Sequence, residues 1–182
     1  MRNLQKTSAL IAAVLLVCTI HPSKSHAQAS GPSDPQIVQI VQTANHIDID
    51  QAKLALRMSK NPLVKDFASQ MISDHQSLEK SVADLAKKLG VTPEDSDTSK
   101  QLNQQAADEA KKLKSLHGKA FDQEYVSHEI AFHQAVLDAA GKVLIPNARN
   151  GELKAALQGA APLLQGHLEH AQHMQSSLQS GK

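Results

Sequence analysis

Hydrophobic positions along this chain recur at intervals of three and four over long stretches, the spacing that places side chains on one face of an α-helix. The first stretch follows Ser33-Asp34-Pro35, a capping residue with proline in the first helical turn, and carries Ile37, Ile40, Val41, Ala44, Ile47, Leu54, Ala55 and Met58. Asn61-Pro62 ends this helix and caps the next, so the two should fold back as a hairpin. In the second helix Val64, Phe67, Ala68, Met71, His75, Leu78, Val82, Leu85 and Leu89 make one seam, terminated by Gly90.

Val91 to Lys100 reads as an acidic, solvated loop, and a weaker helix then carries Leu102, Ala106, Ala110, Leu113 and Leu116 as far as Gly118. Phe121, Tyr125, Phe132, Val136 and Ala140, flanked by Val126, Ile130 and Leu137, give the next helix a broad apolar face, which predicts a central position. After a turn from Ile145 to Gly151, the last helix has Leu153, Leu157, Ala160, Leu164, His167, Ala171, Met174 and Leu178 in register. Pro162 lies inside it and should leave the Gln158 carbonyl without a partner, kinking the helix one turn before His167. The pattern predicts an all-α fold, a four-helix bundle with an additional short connecting helix. The bundle should span residues 36–179, after a linker at 28–35 and before a frayed tail at 180–182.

The chain opens differently. Arg2 and Lys6 precede an apolar run from Ala9 to Cys18, and Ser25-His26-Ala27 has small residues where signal peptidase reads, so cleavage is expected after Ala27 and the mature protein in the periplasm. Cys18 as a lipoprotein anchor is the alternative, although Val17 stands where such sites want a small residue. The apolar run is shorter than the roughly 20 residues of a membrane-spanning helix, and no later segment is as hydrophobic, so no transmembrane segment is expected. Removing residues 1–27 leaves 16 basic against 18 acidic residues and no cysteine, which excludes disulfides and thiolate-ligated metal from the mature chain. This near-neutral balance, with aromatic residues at 2%, supplies neither a basic field nor stacking platforms, and nucleic-acid binding is not expected.

Eight of the ten histidines follow residue 27, and helical angle separates them. His75 and His167 lie on their seams, and His133 sits beside Val126, Ile130 and Leu137. His46 and His173 point away from their seams, His128 and His170 fall on flanks, and His117 ends the weak helix. On the first helix Asp48 shares the stripe of Ile47 and Leu54, whereas Asp50 is roughly 100° from its centre. At about 1.5 Å per residue, Asp48 lies some 18 Å and His75 some 22 Å from the hairpin turn, so they can share a layer. An internal echo, Phe67-x3-Met71-x3-His75-Gln76 against Tyr125-x3-Glu129-x3-His133-Gln134, suggests that two helices follow one template. One carboxylate and three imidazoles make a donor set for zinc, iron or copper, so Asp48, His75, His133 and His167 are the candidate metal ligands.

At these residues the chain resembles an exported bacterial family catalogued as a domain of unknown function (number 4142), often labelled as outer membrane proteins and grouped with ferritin-like bundles. The likeness covers about Ile37 to Leu178. It rests on Lys53-Leu54-Ala55, Asn61-Pro62-Leu63-Val64-Lys65-Asp66-Phe67-Ala68, Met71-Ile72-Ser73-Asp74-His75, Phe121-Asp122-Gln123-Glu124-Tyr125-Val126, His133, and Leu163-Leu164-x2-His167-Leu168. The resemblance implies a ferritin-like bundle, with Asp48 where the family commonly has Glu. It does not imply ferritin chemistry, because the Glu-x-x-His motifs of di-iron bundles are absent. The helical pattern also lacks the alternating strands of an outer-membrane barrel.

Three functions remain open at this point. The cluster can hold one transition metal in a binding or structural role. It can be a redox or hydrolytic centre with Tyr125 or Glu129 as acid–base group, or the histidines can be packing elements beneath a partner-binding surface. No catalytic residue is assigned, and a protein partner or homo-oligomer is left open.

Overall fold

The computed structural model describes residues 31–180, all of whose regular structure is helical. The predicted signal segment, its cleavage site, Cys18, residues 28–30 of the linker and residues 181–182 lie outside the described residues. Helix α1 (Asp34–Met58) turns tightly into α2 (Pro62–Leu89); α3 (Asp97–Lys114) and α4 (Gly118–Ala139) follow. A π-helical turn, Ala140–Leu144, leads from α4 into the single turn α5 (Ile145–Asn147), and α6 (Gly151–Ser180) completes the fold. Ser33 caps α1 and Pro35 lies in its first turn, as the Ser33-Asp34-Pro35 signal predicts, so the helix begins within the stretch 28–35 otherwise read as linker.

Local chemistry accounts for these boundaries. Ser33 and Gln36 form a capping box at α1, while the Asn61 side chain accepts from the Leu63 amide at 2.9 Å to start α2. Gly90 ends α2 at φ 65°, a left-handed conformation that strains any residue with a Cβ. The loop predicted to reach Lys100 stops at Ser96, because Ser96 and Ser99 cap one another reciprocally. Their polar sequence encodes a helix start rather than more loop. α6 continues past Pro162 to Ser180.

Helices α1, α2, α6 and α4 each pack on the next and close a four-membered ring, with α3 laid against the outside of α1. This corrects the expectation that α4 is the central helix. α1 has α2, α3 and α4 around it, whereas α4 keeps Ala131, Ala135 and Asp138 at the surface. Two contacts tie distant elements. The Ser59 hydroxyl donates to Asp122 at 2.6 Å beneath the α1–α2 turn, and the Asp34 carboxylate accepts from the amides of Arg149 and Asn150 at 2.8 and 2.9 Å.

The apolar core is in two parts. Near the α1–α2 turn, Leu54, Val64, Phe67, Met71, Phe121, Tyr125, Val126 and Met174 form one cluster. At the opposite end Ile37, Val38, Ile40, Leu144, Leu153 and Leu157 form another. Between them lies a buried polar layer. Approaching it, the predicted α2 seam does not close: Val64 to His75 are buried, but Leu78, Val82, Leu85 and Leu89 are only half-buried. Phe67 has no exposed surface, so Phe67→Ala is expected to cost about 3–5 kcal/mol in urea unfolding. Leu63→Ala at an exposed α2 position should stay within about 0.5 kcal/mol.

Candidate metal centre

Asn45, Asp48, Gln51, His75, Glu129, His133 and His167 make up the polar layer, each no more than 5% exposed. The three histidine rings form a near-equilateral triangle, with centroids 5.2 Å (His75–His167), 5.4 Å (His133–His167) and 5.7 Å (His75–His133) apart. α2, α4 and α6 contribute one ring each, so the triangle exists only because the ring of helices closes.

Each imidazole is held from behind. Nδ1–H of His75 donates to the Asn45 side-chain oxygen at 2.9 Å, and Nδ1–H of His133 donates to the Glu129 carbonyl at 3.0 Å. Nε2–H of His167 donates to the Asp74 carboxylate at 3.0 Å. Those bonds fix the tautomers and leave His75 Nε2, His133 Nε2 and His167 Nδ1 as the lone-pair atoms. All three are buried and have no hydrogen-bond partner. Ligand atoms of the three rings lie within 4.8 Å of one another. A tetrahedral centre with bonds of about 2.0–2.1 Å spaces its donors about 3.4 Å apart, so small ring rotations suffice to close them on one ion.

Asp48 stands beside the triangle rather than at equal reach of all its members. Its carboxylate is 3.5 Å from His75 Nε2, and it groups with Glu129 and His133 in a second set of ligand atoms within 4.8 Å. Both Glu129 oxygens, the Tyr125 hydroxyl and the Gln51 amide are buried and make no hydrogen bond of good geometry, although Glu129 lies close enough to Tyr125 and Asp48 to interact with both; this density of polar groups suits an ion or water. The donor set therefore fits a transition metal, with three neutral imidazoles and one or two carboxylates.

Helical rise allows Asp48, His75, His133 and His167 one level; the structure brings the three histidines together and sets Asp48 beside His75 and His133, outside the group that contains His167. Of the remaining histidines, His46, His117, His170 and His173 are exposed and His128 is half-buried on a flank. Glu129, read from the sequence as an acid–base group or a hydrogen-bond partner and not as a ligand, is grouped with Asp48 and His133 as well. The Tyr125-x3-Glu129-x3-His133 echo carries the signal for it, one turn before His133 on the same face. Periodicity puts Asp74 at the edge of the α2 seam, three residues after Met71 and four before Leu78, but does not say that it serves a histidine 93 residues away.

Burial sets the charge states. It pushes His75 down to about 3, helped by the neighbouring His133 and His167 rings, and His133 and His128 down to about 4. His167 is lowered for the same reason, partly offset by Asp74. Burial also raises Asp48 to about 8 and, with the Asp48 charge, holds Glu129 well above the carboxylate range. The layer is thus built from neutral groups at neutral pH.

In plain terms this is an α-helical bundle with a buried tris-imidazole and carboxyl layer. The chain belongs to the family described as Domain of unknown function (DUF4142), whose model matches residues 20–174. Among solved structures, the bundle is similar to one titled "CopM in the Cu(II)-bound form", with a TM-score of 0.61 and 15% identity over 81% of this chain and 98% of that one. That likeness concerns the fold. No protein of curated function matches.

Without metal, the shifts dictate how stability responds to pH. Below pH 6.5 the unfolded chain protonates histidines that stay neutral in the fold, so stability falls on acidification towards about 4 and about 3. Asp48 and Glu129 act oppositely; the Asp48 contribution is complete below pH 3.8 and is lost as pH rises towards 8. Four depressed imidazoles outweigh two raised carboxyls on the acid side, and only the carboxyls titrate above it. The melting temperature of chelator-treated protein is therefore expected to peak near pH 6.5, and a steady rise from about pH 6 to 8 would contradict these assignments.

Proposed function

We propose that this is an exported, periplasmic metal-binding protein that holds one transition-metal ion through His75, His133 and His167, with Asp48 as the fourth ligand. The observation that carries the reading is the set of three buried ring nitrogens, all unpartnered, each on an imidazole whose other nitrogen is oriented by Asn45, Glu129 or Asp74. Histidines serving only as packing would have both nitrogens satisfied. Nitrogen and oxygen donors without thiolate suit Cu(II), Zn(II) and Fe(II). The Cu(II)-bound title of the structural neighbour makes copper the first ion to test.

Metal analysis of protein purified without chelator or affinity His tag is expected to give about one equivalent per chain. The folded triple variant His75→Ala, His133→Ala, His167→Ala should carry none. If neither carries metal, and added Cu(II), Zn(II) or Fe(II) leaves the wild-type melting temperature unchanged, the proposal fails. Asp74→Ala removes only the orienting bond to His167 and is expected to weaken metal binding by about 10–100-fold in calorimetric titration. An Asp74→Ala affinity equal to wild type would remove Asp74 from the site.

A further inference from the structure

We propose that the cavity between the histidine layer and the Ile37–Leu153 end of the bundle binds an uncharged, largely hydrocarbon molecule that carries one hydrogen-bond-accepting oxygen. This inference stands whether or not the imidazoles hold a metal.

The apolar seams of α2, α4 and α6 keep helical spacing beyond the histidines yet do not meet. Leu78, Val82, Leu85, Phe132, Val136 and Leu164 are all half-buried and all face a cavity of about 400 Å³. That volume falls within the range of small-molecule sites, and its walls are overwhelmingly apolar. The exposed residues Ser81, Thr98 and Gln105 at its edge give it a way out to solvent between α2 and α3. Space of this kind is poorly suited to water, which needs two to four polar partners, and well suited to hydrocarbon.

Chemistry at the floor specifies the head of the ligand. Asn45, Asp48 and His75 line the cavity there. The Asn45 oxygen already accepts from His75 Nδ1–H, which leaves Nδ2 as a buried donor with no acceptor. An oxygen arriving from the cavity satisfies it. No Lys, Arg or Glu lines the cavity, so an anionic head would find no cation. A cationic head would have only one carboxyl to pair with, Asp48, which already stands 3.5 Å from His75 Nε2.

Titration of chelator-treated protein with 1-decanol, decanoate and decyltrimethylammonium, which share a chain and differ in head charge, tests the assignment. One equivalent of 1-decanol should bind saturably and raise the melting temperature, with both charged analogues at least about tenfold weaker. Ala160→Phe from α6 and Ala139→Phe from α4 each fill the cavity. They should abolish decanol binding while leaving helical circular dichroism and metal content at wild-type levels. Because either phenylalanine can disturb folding, intermolecular NOEs from the decanol chain to Phe132 and Val136 in the wild type provide an independent readout and are expected. Absence of saturable binding, absence of those NOEs, or undiminished binding in folded plugged variants overturns the site. Equal or tighter binding of a charged analogue overturns the proposed head chemistry. Metal content, measured on the same proteins before chelator treatment, separates failure here from failure of the metal assignment.

Discussion

Everything in this bundle is arranged around a polar layer whose side chains are almost wholly buried. Burying imidazoles and carboxyls costs free energy unless their hydrogen-bonding capacity is used. The protein uses half of it: each of His75, His133 and His167 spends one nitrogen on a fixed acceptor and turns the other inward unpaired. The two flanking apolar clusters keep the layer in a low-dielectric setting, which is why the imidazoles stay neutral and the carboxyls hold their protons. A neutral imidazole with an oriented lone pair is the form that ligates a metal.

Packing differs in quality on the two sides of that layer. Towards the α1–α2 turn, Phe67, Met71, Phe121 and Tyr125 are fully buried, and the Ser59–Asp122 bond closes the end. This side holds the rings of α2 and α4 rigidly at their bases. On the other side the helices keep apolar faces apart and leave the cavity. A dense lower core and an open upper one give a pre-oriented donor set beside a cavity, a combination that closing the upper seams would remove.

Much of this was legible in the residues. Three- and four-residue spacing located the long helices, Asn61-Pro62 and Gly90 marked their ends, and helical angle alone separated His75, His133 and His167 from the exposed His46 and His173. What misled was local polarity: Asp97 to Lys100 looked like loop because serine and aspartate serve turns and helix caps alike, and only the reciprocal Ser96–Ser99 cap decides between them. The breadth of the apolar face on α4 suggested a central helix, whereas α3 lies mainly on α1 and only lightly on α4, and a width of face does not say which neighbour fills it.

The long helices, the ends marked by Asn61-Pro62 and Gly90, and the inward-facing histidines follow from the sequence by itself, because they depend on the 3.6-residue period and on chemistry within one or two turns; the single turn Ile145–Asn147 does not. Asp74 serving His167, the Asp48–Glu129 pairing and the cavity beyond Leu78 were decided only by tertiary structure. Each depends on how far apart, and at what rotation, helices distant in sequence settle against one another. Periodicity along a single helix carries no information about that distance.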